Sequence, residues 1–336
     1  MATFPHHEAV LEHYGRPGDR ILSLEPLGGD GINSTNFRLV FASRPGEPLH
    51  LKVLRDPEPR VAVQLEAFDR VGRAGVKVAE IVPPAAGRLA VETDGGRTRL
   101  VVFRYYPGQA GNCAKAPDQA VAAARELGRL NRALAATGLH ITRSSRYEPL
   151  TATERVAVKA GAARGAMGGQ GDRDRDRRVL AGLDHWARLW VRVELRRLPG
   201  EALEYVDYHP ANVIFDGGAV AAILDFQSLG DQPVGQGLAF ACSRFAETPE
   251  GMVDFVRAYE DQAGPLSVGR TERLIDLVRR ETLCRIHYVV RSSYFHADDA
   301  WAFTLERHEA TLDRLDRLEN AFLERLAQAG SPGRRP

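Results

Sequence analysis

The chain has 336 residues, with 45 Lys+Arg against 44 Asp+Glu and a formal net charge of +1. That balance excludes a charge-driven nucleic-acid or membrane coat, because phosphate backbones and anionic lipids are attracted by net positive charge. Hydrophobic residues at 44% and charged residues at 26% describe a chain able to bury a core rather than a disordered one, and at about 150 residues per domain the length suggests two domains or two lobes.

The start, MATFPHHEAVLEHYG, has neither the basic residues nor the apolar run of a secretory signal, and no stretch approaches the 18 or so apolar residues of a membrane span. A cytoplasmic protein with no membrane or nucleic-acid partner is expected. Cys113, Cys242 and Cys284 are too few and too far apart for a disulfide framework or a zinc cluster.

Three strands open the chain: Ile21 to Leu27, Ser34 to Phe41, and a third around Leu49 to Leu54 across the Pro45-Gly46 turn. In the second, Phe37, Leu39 and Phe41 alternate with Asn36, Arg38 and Val40, the period-two pattern of a half-buried strand. Val61, Leu65, Phe68 and Gly72 then recur at helical spacing up to a stop at Gly75. Two more strands, around Leu89 to Glu92 and Arg99 to Tyr105, flank the hairpin turn Asp94-Gly95-Gly96.

After Pro107-Gly108 helix formers dominate. Ala120, Ala124, Leu127, Leu130 and Leu134 form one apolar stripe, and a second helix runs from Val179 to a stop at Pro199-Gly200. The Gly-rich, Asp/Arg-alternating stretch between them, 160–178, shows no apolar face and reads as a mobile, solvated insertion. Two short apolar runs joined by Asp216-Gly217-Gly218 form a hairpin from Asn212 to Asp225, and the remainder is helical, with Leu312, Leu315, Phe322 and Leu326 on one face. Nothing repeats at 20 to 50 residues.

The densest polar signal is YVDYHPANVIFDGGAVAAILDF. The hairpin returns Asp225 toward the loop that carries Asp207 and Asn212. Three oxygen-bearing side chains then converge at one edge. Hard oxygen ligands of this kind suit Mg²⁺, which takes one or two carboxylates and completes its octahedron with water and nucleotide phosphates, while another nearby carboxylate accepts a proton from an attacking hydroxyl. In the first lobe Leu27 to Asn36 is a glycine-rich connection between strands, where Gly29, Gly31, Ser34 and Thr35 would let backbone N–H groups and hydroxyls approach phosphates, although Gly-Gly-Asp-Gly is also ordinary turn chemistry. Lys52 alternates with Leu51 and Val53, so its ammonium points away from their face, and Glu66 follows on the next helix, placed to pair with it.

With these residues the chain resembles the aminoglycoside phosphotransferase and homoserine kinase-like small-molecule kinases, whose catalytic loop reads H-G-D-x-H-x-x-N before a strand pair ending in a metal-binding Asp. The resemblance spans about Ile21 to Phe245. It implies an α+β, two-lobed protein-kinase-like fold, with a small antiparallel-sheet nucleotide-binding lobe over 1–105 and a larger, mainly helical lobe over 106–330. It further implies Asp207 as catalytic base or hydroxyl-orienting residue, Asn212 and Asp225 as Mg²⁺ ligands, and Lys52 as the strand lysine on the α/β-phosphates, oriented by Glu66. The segment Phe103, Arg104 and Tyr105 would lie along adenine, though the aromatic rings serve equally as core. The implied activity is ATP- and Mg-dependent phosphorylation of a hydroxyl on an amino sugar, sugar or amino alcohol.

The sequence departs from that pattern in three places. Tyr205 replaces the His and Val206 the Gly before Asp207, Gly237 stands where a downstream acid is usual, and Asn131 replaces a helix His. In related folds the downstream carboxylate braces the catalytic loop, so another brace is expected here; a catalytically silent nucleotide-binding or scaffold protein is the alternative. For the acceptor, Asp298, Asp299 and Glu306 near Tyr294 and Trp301 would suit a cationic amino sugar, or a neutral sugar on the aromatic faces, whereas Arg279, Arg280, Arg285 and Arg291 would suit an anion; both sets are also ordinary helix faces. His287 and His296 read as packing or surface residues. No G-x-S-x-G, H-E-x-x-H or C-x-x-C occurs to start a serine-hydrolase, zinc-protease or dithiol reading.

Overall fold

The computed structural model describes residues 4–27, 34–85, 87–111, 117–142, 148–168, 173–195, 200–266, 271–296 and 302–330. A short helix α1 (His7–Tyr14) precedes strands β1 (Ile21–Pro26), β2 (Ser34–Phe41) and β3 (Leu49–Arg55). Helix α2 (Val61–Arg73) follows, then β4 (Val91–Thr93) and β5 (Thr98–Arg104). These five strands form an antiparallel sheet in the order β1-β2-β3-β5-β4. Period-two alternation gives the sheet two apolar faces. Leu49, Leu51, Val53, Leu100 and Val102 join Val10 and Tyr14 of α1. Val101 and Phe103 of the same β5 strand join Val61, Leu65, Phe68 and Val71 of α2 in the main core. Lys52 lies between Leu51 and Val53 and is therefore on the α2 face.

The second part of the chain holds β6 (Gln109–Ala110), α3 (Pro117–Ala136), α4 (Ala152–Gly168), α5 (Arg173–Leu195) and β7 (Glu201–Tyr205). Next come β8 (Val213–Asp216), β9 (Ala219–Ile223), β10 (Leu229–Pro233) and the helices α6 (Gln236–Phe245), α7 (Pro249–Ala263), α8 (Leu274–Phe295) and α9 (Leu305–Gly330). Small sheets β6-β8-β9 and β10-β7 sit beside this helical body. The main core runs from α2 and β5 through α3, β8 and β9 to α6, α7 and α9, so the two lobes share one continuous apolar interior. A second cluster joins Val158 and Ala162 of α4, Val179, Leu183 and Trp186 of α5, and Leu283, Ile286 and Val290 of α8.

The stretch 160–178 is a correction to the sequence reading. Its described residues are helical: the end of α4 and the start of α5. The small residues that gave no apolar stripe allow close approach instead. A Cβ at Gly165 would collide with the Asp176 carboxylate, and one at Gly161 would fall 3.1 Å from the Tyr294 ring. Asp176, one of the alternating acids, is buried beside Arg175 and accepts the Tyr294 hydroxyl. Among the described residues no helix is long and apolar enough to cross a membrane.

Candidate active site

Two hairpin strands and two short 3₁₀ turns carry the polar residues. β7 ends at Tyr205, the chain passes through Asp207, and a turn at Pro210–Asn212 feeds β8. The β8–β9 hairpin closes at Gly217, which has φ 59°, a value that costs glycine nothing. The returning strand delivers Leu224, whose N–H donates to the Asn212 carbonyl at 2.8 Å. Asp225 is thereby fixed one residue beyond the Asn212 backbone. Asp225 itself is left-handed (φ 58°, ψ 77°) and caps the 3₁₀ turn that follows by accepting the Gln227 N–H. A non-glycine residue held in that region carries strain that the surroundings must support, a pattern concentrated at functional sites.

Lys52 crosses to this loop from β3. Its ammonium donates to Asp225 Oδ1 at 2.7 Å and lies 5.6 Å from the Phe226 ring centroid. The lysine is 5% exposed, and a buried ammonium is tolerated only when paired. Lys52 thus enters the space between the lobes and meets Asp225 there.

Glu66 does not meet Lys52. It pairs with Arg70 one turn along α2, and both side chains are close to half exposed. The inner face of α2 carries Val61, Gln64, Leu65, Phe68 and Val71, and residues two apart on a helix do not share a face. Gln64, 1% exposed, occupies the inward position: its amide donates to the Gln227 carbonyl at 2.7 Å and the Leu229 carbonyl at 2.8 Å. The sequence reading missed Gln64. Its one signal was a polar residue interrupting an apolar helical stripe, which requires a buried hydrogen-bond partner.

Asp207 is gripped from several sides. Arg285 of α8 donates to Oδ1 at 2.9 Å, His209 Nε2 lies 3.5 Å from Oδ2, and the Asn212 amide donates to the Asp207 carbonyl at 3.0 Å. Burial alone would raise the Asp207 pKa, but the Arg285 guanidinium and His209 outweigh it and hold the carboxyl well below the usual carboxylate range. Of the four arginines singled out on this helix, only Arg285 reaches the loop. Arg279 is surrounded by Asp276, Asp316 and Glu319, Arg280 pairs with Glu194, and Arg291 with Glu154.

A replacement brace is present. The Glu204 carboxylate, 3% exposed, accepts the N–H groups of Gly235 and Gly237 at 2.6 Å each. A Cβ on Gly237 would fall 2.6 Å from the Tyr205 carbonyl oxygen, so the strand leading to Asp207 and the start of α6 touch where only glycine fits. The Tyr205 hydroxyl donates to the Leu224 carbonyl at 2.6 Å, tying β7 to the residue before Asp225. Burial and the nearby Asp225 and Asp207 push that phenol far above its ordinary pKa, and it remains a donor. Asn131 bonds the Tyr259 hydroxyl inside the α3–α7 contact.

The remaining expected residues are scattered in role. Gly29 and Gly31 lie outside the described residues. Ser34 is buried at the start of β2, and the Thr35 hydroxyl accepts from Arg55 at 2.8 Å. Phe103 is core, its ring centroid 6.0 Å from that of Phe226 and 5.7 Å from His50. Arg104 pairs with Glu80 through its side chain, and its N–H donates to the Glu80 carbonyl; Tyr105 lies under the Arg38 guanidinium. Glu306 pairs with Arg178, and the Tyr294 hydroxyl is bonded to Asp176; Asp298, Asp299 and Trp301 lie outside the described residues. His287 is buried against Trp190 and His296 is exposed.

A sheet lobe and a helical lobe joined across a lysine–aspartate pair, with a second aspartate on the preceding loop, define a protein-kinase-like architecture. The model of the phosphotransferase enzyme family matches residues 23–270, and the chain belongs to that family. It is an enzyme of the small-molecule kinase type. Solved structures with this fold include spectinomycin phosphotransferase APH(9)-Ia in complex with ADP and spectinomycin, at 12% identity and TM-score 0.64 over 93% of this chain and 92% of that one. A microcompartment-associated aminopropanol kinase is 15% identical, with TM-score 0.64 over 95% and 96%. The amicoumacin kinase hAmiN, in complex with AMP-PNP, Ca²⁺ and Ami, is 15% identical, with TM-score 0.61 over 92% of each chain. No curated protein matches the sequence.

Proposed function

We propose that this phosphotransferase moves the γ-phosphoryl group of ATP to a hydroxyl of a small metabolite, with Asp207 facing that hydroxyl and Lys52 holding the nucleotide phosphates. The observation that carries the reading is the meeting of Lys52 with Asp225 across the two lobes, at the end of the hairpin that the loop carrying Asp207 and Asn212 feeds. Asp225 and Asn212 fit a Mg²⁺ ion: one carboxylate and one amide is the sparse, hard-oxygen set that Mg²⁺ accepts when phosphates and water supply the rest. With its Nδ2 donating to the Asp207 carbonyl, the Asn212 amide turns its oxygen the other way. When bound, the ion neutralises charge on the β- and γ-phosphates.

In the transfer, a new bond forms from the acceptor oxygen to phosphorus, the bond to the bridging β–γ oxygen breaks, and ADP departs. The acceptor proton goes to Asp207. A carboxylate held so far below its ordinary pKa is a weak base, and in a loose transition state the attacking hydroxyl gives up its proton late. Asp207 therefore contributes chiefly by orienting the hydroxyl, and Arg285 fixes the carboxylate that does so.

No observation favours the silent alternative, since Glu204 and Tyr205 supply bracing where the sequence departs from the family pattern. The test is an ADP-release screen with Mg-ATP and a panel of amino sugars, hexoses, homoserine and choline-like alcohols. Asp207→Ala is expected to abolish acceptor-dependent turnover while ATP binding persists. Equal turnover in wild type and variant would overturn the assignment.

A further inference from the structure

The surroundings of Asp207 on the side of α6, α8 and α9 are positively charged. Phe240 of α6 is flanked by two guanidiniums: Arg285 Cζ lies 4.3 Å from its ring centroid and Arg244 Cζ 5.0 Å. The first turn of α9 carries the exposed Arg307 and the buried His308, which lie within electrostatic reach of this pair. These groups feel one another. Burial, then the charges of Arg285, Arg244 and Arg307, draw the His308 pKa down to about 3. Burial, then Arg307 and Arg285, draw Arg244 down to about 10, with Asp207 acting in the opposite direction.

The carboxylates among the described residues do not neutralise this cluster. Arg285 is shared between Asp207 and Glu281, at 2.9 and 3.2 Å. Among the described residues, neither Arg244 nor Arg307 forms an ion pair with a carboxylate. Of the acids expected to welcome a cation, Glu306 is engaged with Arg178, and Asp298 and Asp299 lie outside the described residues; the nearby Asp176 is engaged with Arg175 and Tyr294. A guanidinium crowded by like charges gains most from an anion, which it meets with two parallel N–H donors. An ammonium-bearing acceptor would meet repulsion there instead.

We infer that the acceptor is a small anionic alcohol, carrying a carboxylate or phosphate group beside the hydroxyl that is phosphorylated, with Arg244 and Arg307 receiving the anion. The inference rests on the reading of Asp207 as the residue facing the acceptor, and it turns away from the amino sugars and amino alcohols expected from the sequence.

Calorimetric titration of the full-length chain tests it in two stages. Mg-AMP-PNP is titrated first, into wild type and Lys52→Ala. Binding that Lys52→Ala loses supports the kinase reading, and its absence in wild type overturns that reading and this inference together. Glycerate, glycerol 3-phosphate, glycerol and ethanolamine are then titrated into the Mg-AMP-PNP complex. At least one of the two anions is expected to bind tenfold or more tightly than ethanolamine and glycerol, and the stronger of the two identifies carboxylate or phosphate as the group recognised. Arg307→Gln, a change at an exposed position, and Arg244→Gln are each expected to weaken that binding at least tenfold. Preference for ethanolamine, no binding by any of the four, or anion affinity indifferent to both variants overturns the inference while leaving the kinase reading standing.

Discussion

Lys52 and Asp225, 173 positions apart in the chain, are joined by a 2.7 Å ion pair that spans the two lobes. The strand fixes the lysine's direction and the left-handed backbone of Asp225 fixes the carboxylate's. Each is the other's counter-charge, so the pair also holds β3 and the turn after β9 at a set separation. Lys52→Met keeps the apolar stem and removes the charge. Because the Asp225 side chain is 32% exposed, water relieves part of the penalty, and the expected loss of stability is roughly 1–3 kcal/mol. The affinity for ATP should fall at least tenfold. Thermal unfolding and nucleotide titration read the two effects separately, and undiminished ATP affinity would remove Lys52 from the phosphate site.

On α2 the expectation from the sequence and the arrangement in space separate cleanly into two variants. Glu66→Ala breaks an exposed i,i+4 pair with Arg70, worth about 0.3–0.5 kcal/mol, and should leave kcat and the KM for ATP within twofold of wild type. Gln64→Ala removes two hydrogen bonds to carbonyls following Asp225, the buried one of Leu229 and the part-buried one of Gln227. Leaving such acceptors unsatisfied costs about 1–3 kcal/mol each, and the loosened turn should lower kcat. Steady-state kinetics on both variants decide the matter: a large effect of Glu66→Ala restores the lysine–glutamate pairing.

His287 gives the protein a pH dependence of known sign. Burial, then the charges of Arg291 and Arg155, lower its pKa to about 4. An unfolded histidine titrates near 6.5. As pH falls the unfolded chain takes up this proton first, so the contribution is intact above about pH 6.5 and is lost as pH drops through 4. The loss is at most about 3 kcal/mol. His50, also lowered to about 4 chiefly by burial, acts in the same direction. The His287 Nδ1 is buried without a partner, so His287→Phe removes the titration without sacrificing a hydrogen bond at that atom. Denaturant unfolding between pH 7 and 4 should show a shallower decline in the variant, and parallel profiles would count against the assignment.

What could be read from the sequence follows from which rules act locally. The face of Lys52 was legible because a strand alternates strictly, and the Asp207, Asn212 and Asp225 grouping because an Asp-Gly-Gly turn returns a strand of fixed length. Glu66 was misplaced because it lies one residue past Leu65 and so turns off the Val61, Leu65 and Phe68 stripe, and nothing local showed that Gln64 would find its partners in the turn after Asp225. The start of α5 was illegible for a related reason: Asp174 and Arg177 pair along an exposed face, while Asp176 is buried by α4 and Tyr294, a contact absent from any local pattern. Four arginines on α8 looked alike in sequence, and tertiary packing alone sends Arg285 to Asp207.

The brace at Glu204 yields the last prediction. Two backbone N–H groups, from Gly235 and Gly237, converge on one buried carboxylate, and hydrogen bonds to a charged acceptor contribute about 1.5–3 kcal/mol each. Glu204→Gln retains one acceptor oxygen and turns an NH₂ group toward an N–H donor, so a loss of about 2–3 kcal/mol is expected. Asp207 lies three residues along the same strand and loop, and its displacement should lower kcat tenfold or more with a smaller change in the KM for ATP. Moving the acid to its usual place does not repair the defect. In Glu204→Ala/Gly237→Asp the new Cβ falls 2.6 Å from the Tyr205 carbonyl oxygen, a contact no rotamer relieves, because it involves backbone and Cβ alone. The double variant should be less stable than Glu204→Ala by thermal unfolding and no more active. Recovery of kcat in the double variant would show that the carboxylate can serve from either side, and that Gly237 is not required by the close approach of β7 to α6.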